Sequence, residues 1–98
     1  MSTKQNRCMV DLFDLDEATA SVARAMGRAE VECVARTEQL TVYDLDGRST
    51  PGGVQHDRVA ISRAEREWEL SEPAAFRELL IANGYTVDAT SREIVRLA

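Results

Sequence analysis

The residues that could perform chemistry are few and lie far apart along the chain. The 98 residues include one histidine, His56, and two cysteines, Cys8 and Cys33, which do not form a CxxC pair. No cationic residue stands next to Cys33 to activate it as a nucleophile. Two unpaired thiols in a sequence without a secretory signal are typical of a reducing compartment, so we predict a cytoplasmic protein.

A serine nucleophile with a histidine base would need residues that nothing in the sequence aligns. Asp57 is adjacent to His56, and Ser49 and Ser62 are the nearest serines. No Gly-x-Ser-x-Gly segment presents either serine on a sharp turn, and no third residue is placed to orient the histidine. We therefore predict no catalytic residues and a protein that is not an enzyme.

The segment from Gly47 to Val54 shares only its glycine spacing with a phosphate-binding loop. Gly53 and Val54 occupy the positions where such a loop requires lysine and then serine or threonine. Asp44 and Asp46 precede Gly47 as in part of a calcium loop, but no carboxylate follows at the closing position. The sequence predicts no cofactor and no metal site, and it indicates a turn at Asp46-Gly47.

Length and composition predict one small globular domain. The hydrophobic fraction of 44% and the charged fraction of 30% are typical of soluble domains, and 98 residues are too few for two independent cores. We expect residues 1–6 to be frayed and residues 7–98 to form the domain. No apolar run is long enough to span a membrane.

Capping residues and apolar periodicity predict three to four helices. Asp14 with Glu17 marks a helix over residues 15–26, and Ser62–Glu65 is a capping box for a second helix that begins at Arg63.

A third helix is expected over residues 72–83, capped by Ser71 and closed by Asn83-Gly84, and Asp88 is expected to cap a last helix. The inward residues of these two helices are predicted to be Phe76, Leu79, Leu80 and Ile81, and then Ile94, Val95 and Leu97.

Alternating apolar residues predict strands at 8–13 and 85–87 and a β-hairpin over residues 40–61. The segment DLDGRSTPGGVQ, residues 44–55, is expected to be the long, glycine-rich tip of that hairpin. Residues 29–36 are predicted to be a further strand, pairing with the first strand of the hairpin, because Val31 and Cys33 alternate with glutamates.

These elements predict an α+β fold, with a three- to five-stranded mixed or antiparallel sheet and the helices mainly on one face. A winged helix-turn-helix is the alternative, because a helix at residues 29–37 before the hairpin would reproduce that architecture. Its recognition helix would be AEVECVARTE, which is too acidic for the major groove. The predicted core contains Leu12, Val22, Met26, Val42, Ile61, Trp68, Phe76, Leu79 and Leu80.

Charge favours a protein partner. The chain has 17 acidic and 12 basic residues, a formal charge of −5, and 11 of the basic residues are arginines spread along the sequence. An acidic chain is poorly suited to phosphate backbones and well suited to a basic partner protein. We predict a protein-binding module that regulates or inhibits a larger protein, for example a nucleic-acid-binding one, with no membrane or small-molecule partner. A winged-helix, DNA-binding transcriptional regulator is the alternative function.

The polar hairpin tip is the predicted contact site, because long irregular loops often carry function. It concentrates arginine, hydroxyl groups and backbone donors away from the core. The predicted partner-binding residues are Asp46, Arg48, Ser49, Thr50, His56 and Arg58.

Overall fold

Six antiparallel strands and three α-helices make up the part of the chain that the computed structural model describes, residues 9–97. The strands are β1 (Met9–Asp11), β2 (Glu30–Arg36), β3 (Thr41–Thr50), β4 (Gly53–Ala60), β5 (Tyr85–Val87) and β6 (Ile94–Arg96). The helices are α1 (Glu17–Ala25), α2 (Arg63–Ser71) and α3 (Pro73–Ala82), and the sheet order is β1-β2-β3-β4-β6-β5. The α+β class is confirmed, with one strand more than expected. The predicted fraying of residues 1–6, and Cys8, lie outside the described residues.

Residues 30–36 are a strand, as the alternation of valine and cysteine with glutamate predicts. β2 pairs with β1 through Val31 and with β3 through Cys33 and Ala35, so it joins the two halves of the sheet. A register shift between Cys33 and Ala35 marks a β-bulge. The winged helix-turn-helix alternative is wrong as a fold, because the helix that it requires at this position is a strand.

The sheet separates two hydrophobic clusters. Successive residues of a strand point to opposite faces, and Val42 and Tyr43 of β3 accordingly belong to different clusters. The first cluster lies under α1 and consists of Leu12, Leu15, Ala20, Ala23, Val31, Tyr43, Leu45 and Ala60. The second lies under α2 and α3 and consists of Leu40, Val42, Val59, Ile61, Phe76, Leu80, Tyr85 and Ile94. Two of the three α-helices thus lie on one face, as expected, and α1 covers the other face.

The start of the first helix lies later than its sequence pattern indicates. Residues 12–14 form a single 3₁₀ turn after β1, and Asp16, not Asp14, accepts the backbone N–H of Thr19 as the N-cap of α1. Leu15 forms an isolated bridge with Ser62 before the helix begins, and its side chain is fully buried. The capping box at α2 is confirmed, since Ser62 and Glu65 exchange both hydrogen bonds.

The third helix is confirmed, but its cap is not. Ser71 ends α2 by donating to the carbonyl of Trp68, and Glu72 precedes Pro73 without any side-chain cap on α3. Phe76 and Leu80 are fully buried, as predicted, whereas Ile81 is 47% exposed and does not belong to the core.

The predicted last helix is wrong. The Asp88 carboxylate accepts the N–H groups of Thr90 and Ser91, which makes a tight turn, and Arg92 then adopts a positive φ of 66°. The chain beyond it is β6, whose β-branched residues suit a strand. Ile94 pairs with both Val59 and Val87 and is fully buried.

The remaining core predictions hold in the main. Leu12, Val42 and Ile61 are buried, whereas Val22, Trp68 and Leu79 are partly buried and pack against the clusters. Met26 is wrong, because it lies just beyond the end of α1 and is 41% exposed.

A buried ion network joins three segments that are distant in sequence. The Arg66 guanidinium, on α2, donates to Asp16 at 2.9 and 3.2 Å, to Glu69 at 2.9 Å and to the carbonyl of Arg92 at 2.7 Å. Arg92 in turn donates to both oxygens of Glu69. Burial opposes the charge of Arg66, but the two carboxylates outweigh it and raise the pKa of Arg66. Within residues 9–97, every buried side-chain nitrogen or oxygen has a hydrogen-bond partner.

We expect Phe76→Ala to lower the free energy of unfolding by about 3–5 kcal/mol, because it empties a fully buried site and removes the edge-to-face contact with Trp68. Urea unfolding followed by circular dichroism measures the loss. The control is Ile81→Ala on the same helix, for which a loss of about 0.5 kcal/mol or less is expected. Similar losses in the two variants would mean that the buried face of α3 is misassigned.

We expect Arg66→Met to lower the free energy of unfolding by about 3–5 kcal/mol, because it leaves the buried Asp16 carboxylate without its cation and leaves Glu69 with Arg92 in place of two cations. The control is Arg77→Met, the same chemical change at an exposed position of α3, with an expected loss of about 0.5 kcal/mol or less. Chemical denaturation measures the free energy of unfolding of both variants. Equal losses in Arg66→Met and Arg77→Met would mean that the ion network does not stabilise the fold.

Candidate functional site

The outer part of the β3–β4 hairpin, residues 46–57, is called the projecting hairpin here because its strands pair only with each other in the described chain. The pairing of β2 with β3 ends at Tyr43, and β6 reaches only Arg58 and Val59 of β4. Beyond these positions, β3 and β4 continue in register from Gly47–His56 to Thr50–Gly53. The predicted long irregular tip is therefore wrong, and the segment is a two-stranded ribbon.

A tight turn closes the ribbon. Pro51 and Gly52 are the only residues between the paired positions Thr50 and Gly53, and Gly53 has a φ of 126°, which favours glycine. The Thr50 hydroxyl donates to the Gly53 carbonyl at 2.8 Å. The Pro-Gly dipeptide signals this turn in the sequence. The strand segments on either side of this turn are difficult to recognise in the sequence because their residues are mostly polar.

Register shifts at Leu45 and Asp57 turn the ribbon away from the sheet. Gly47, between them, permits a close approach of two side chains. A Cβ atom there would lie 2.9 Å from Asp44 Oδ1 and 3.0 Å from His56 Nδ1. Glycine is thus required where these two side chains meet.

One face of the projecting hairpin carries a histidine–aspartate pair. His56 Nδ1 lies 2.9 Å from Asp44 Oδ1, and Arg28 donates to the Asp44 carbonyl at 3.0 Å and lies 3.4 Å from Oδ2. Beside the pair is an open groove of about 530 Å³, bordered by β2 and the hairpin. Its lining includes Glu32, Cys33, Val34, Asp44, Gly47, Arg48, Ser49, Val54 and His56.

The opposite face carries alternating arginines and carboxylates. Arg58 contacts Asp46 at 3.2 Å and Glu93 at 3.5 Å. Asp57 lies between Arg48, at 2.8 Å, and Arg96, at 3.6 Å. A second open groove, of about 520 Å³, follows this face between the hairpin and β6.

The pKa of Asp57 lies below its usual value of 3.8. The hydrogen bond from Gln55, at 2.6 Å, is the main cause, and the charges of Arg48 and Arg96 add to it, while partial burial acts in the opposite direction. The ionised carboxylate therefore links the two strands of the hairpin to β6.

The six predicted contact residues all lie on or beside the projecting hairpin, but they do not form one surface. Ser49 and His56 belong to the first groove, whereas Asp46 and Arg58 belong to the second. Arg48 borders the first groove, but its guanidinium pairs with Asp57, which lines the second groove. Thr50 lies at the tip of the hairpin.

The chemical candidates are also separated. His56 contacts Asp44, not its neighbour Asp57, and Ser62 is the cap of α2. Cys33 donates to the carbonyl of Ala35 at 3.7 Å from a half-buried position. The turn predicted at Asp46-Gly47 is wrong, because both residues lie within β3 and the chain reverses at Pro51-Gly52. The sequence does not identify the partners of the hairpin residues, which are Arg28, Asp44, Glu93 and Arg96, because these contacts depend on strand register.

Within residues 9–97, no three histidine, cysteine, aspartate or glutamate side chains are grouped so that they could hold a metal ion. None of the helices of this part of the chain has the length and apolar character needed to cross a membrane. The sequence matches no protein-family model, and comparisons with curated proteins and with solved structures found no significant similarity.

We expect the stabilising effect of Asp57 to be complete above pH 3.8 and to disappear as the pH falls below it, because the pKa of the folded carboxyl is lower than that of the unfolded one. The difference in melting temperature between the wild type and Asp57→Asn, measured from about pH 7 down to about pH 2, should shrink over the acidic end of that range. The matched control is Asp14→Asn, which makes the same substitution at an exposed position. A constant difference for Asp57→Asn would show that its ion pairs carry no net stability.

Proposed function

We propose that the protein is a non-enzymatic binding module that docks on a partner protein through the projecting hairpin and thereby regulates or inhibits that partner. The observation that carries the proposal is that β3 and β4, beyond Tyr43 and Arg58, pair only with each other among the described residues. Within residues 9–97, no strand therefore pairs with either outer backbone edge of the ribbon, and open strand edges are sites where a partner adds a strand.

The charges of the hairpin favour a protein over a nucleic acid. Each arginine on its second face already lies against a carboxylate: Arg48 against Asp57, and Arg58 against Asp46. Phosphate binding draws its affinity from cations that can neutralise phosphates, and paired arginines on a chain with a formal charge of −5 supply little of this. Arginine, whose planar guanidinium makes several hydrogen bonds at once, is enriched at protein interfaces.

The position of the hairpin also supports binding rather than turnover. The His56–Asp44 pair lies in an open groove at its base, and Gly47 leaves it accessible from the hairpin side. No described nucleophile is hydrogen-bonded to His56, and the contacts of the neighbouring charged groups are with one another. The ion pairs of Arg48 with Asp57 and of Arg58 with Asp46 hold side chains of the ribbon in place before a partner binds, which lowers the entropic cost of association.

A shortened hairpin tests the proposal. We expect a variant in which Asn-Gly replaces residues 48–55 to keep its fold, since these residues pair only among themselves, with a melting temperature changed by less than about 5 °C. We expect it to lose the protein that co-purifies with the tagged wild type from its own host cells, with and without nuclease treatment.

The matched control is Pro51→Asn, which places the same Asn-Gly turn on a full-length hairpin and should recover the partner normally. Undiminished recovery by the shortened variant would refute the hairpin as the docking element. Recovery that depends on intact nucleic acid would instead favour the DNA-binding function.

A further inference from the structure

The register of β1 on β2 determines which residue of the chain is matched to Cys33. The two strands are antiparallel, and Met9, the first described residue of β1, is directly opposite Glu32. Each step back along β1 corresponds to one step forward along β2, so this register matches the residue before Met9 to Cys33. The residue before Met9 is Cys8, the only other cysteine of the chain.

The alternation of side chains along the two strands matches the same pair. Val31 belongs to the cluster under α1, and Val10, directly opposite it, and Cys33 both pack against that cluster. Residues two positions apart along a strand share a face, so a strand extended back from Val10 has position 8 on the face of Cys33. The alternation of Cys8, Val10 and Leu12 in the sequence predicts such an extension.

Directly opposite residues of an antiparallel pair have the separation that a disulfide requires. Their Cα atoms lie about 4.5 or 5.5 Å apart, and disulfides join Cα atoms that are about 4.4–6.8 Å apart. Cys33 is a half-buried free thiol whose S–H group points to the Ala35 carbonyl at 3.7 Å. A thiol is a weak hydrogen-bond donor, so this contact is given up at little cost when the sulfur changes partner.

We propose that Cys8 and Cys33 form a reversible cross-strand disulfide, which fastens β1 to β2 when the protein meets a low-molecular-weight disulfide such as oxidised glutathione. Cys8 lies outside the described residues, so its pairing with Cys33 is inferred from the register and the sequence. Disulfides in reducing compartments are transient and often sense oxidants. The two thiols are therefore the resting form, and the disulfide is the form produced by oxidation.

Two thiol–disulfide exchange steps make the bond. One cysteine thiolate attacks a sulfur of oxidised glutathione, forms a mixed disulfide and releases one glutathione thiolate. The other cysteine thiolate attacks the protein sulfur of the mixed disulfide, forms the internal S–S bond and releases the second glutathione thiolate. The two thiol protons pass to the released thiolates, so two protein thiols are oxidised while one glutathione disulfide is reduced. Excess reduced glutathione reverses both steps.

Tryptic mapping of the protein after incubation with oxidised glutathione tests the proposal. Trypsin cleaves after arginine, so Cys8 falls in the peptide 8–24 and Cys33 in the peptide 29–36. We expect mass spectrometry to show these two peptides joined by a disulfide in most wild-type molecules, and excess dithiothreitol to separate them.

The matched control moves the first cysteine by one position. In the double variant Cys8→Ser, Met9→Cys, the introduced thiol is opposite Glu32 and on the other face of β1 from Val10. Met9 is 54% exposed, and circular dichroism should show an unchanged fold. We expect about tenfold less of the joined peptides than in the wild type, with glutathione attached to each cysteine instead.

Three results would overturn the proposal. The first is glutathione on both wild-type cysteines without an internal bond, and the second is a disulfide between two wild-type molecules, seen as a dimer on a gel without reductant. The third is an equal amount of joined peptides in the wild type and the double variant, because the bond would then form without regard to the register of β1.

Discussion

The Arg66 guanidinium is the interaction on which the arrangement of the helices depends. It binds the N-cap of α1 through Asp16, a neighbour on its own helix through Glu69, and the backbone of the turn before β6 through the carbonyl of Arg92. These groups belong to elements on both faces of the sheet, because α1 covers one face and α2 and α3 cover the other. Removing this cation would leave Asp16, which has little exposure to water, without an ion pair among the described residues, while Glu69 would keep Arg92. The two layers are therefore joined by charge as well as by the strands between them.

With the layers held in this way, the central strands are free to extend beyond them. β3 and β4 contribute to both clusters near Val42 and Val59 and then leave the sheet after the bulges at Leu45 and Asp57. The bulges increase the local twist, and Gly47 lets the His56–Asp44 pair form at the base of the ribbon. The core thus supports a ribbon whose charged side chains are paired within the ribbon or with its immediate neighbours.

Local signals in the sequence predict the local elements well. The capping box at Ser62 and the alternation in residues 29–36 identify α2 and β2, because capping and period-two burial depend on adjacent residues. The prediction of a last helix is wrong because an aspartate that caps a helix cannot be distinguished in the sequence from one that closes a turn. The pairing of β6 with β4 makes the segment after Asp88 a turn and a strand. The contact between Arg66 and Asp16 joins residues 50 positions apart, which no short-range pattern contains. The polar composition of the hairpin identifies its candidate contact residues. Their division between two faces depends on the β3–β4 register, which two bulges shift, and the sequence does not reveal that register.

The self-paired ribbon implies that resistance to hydrogen exchange is graded along single strands. Amides near Val42 and Val59 lie between both clusters, so their exchange requires the domain to unfold as a whole. Amides near Ser49 and Val54 are protected by the ribbon alone and exchange through local opening that disturbs neither cluster. We therefore expect the same two strands to contain both slowly and rapidly exchanging amides, divided at the point where the ribbon leaves the clusters.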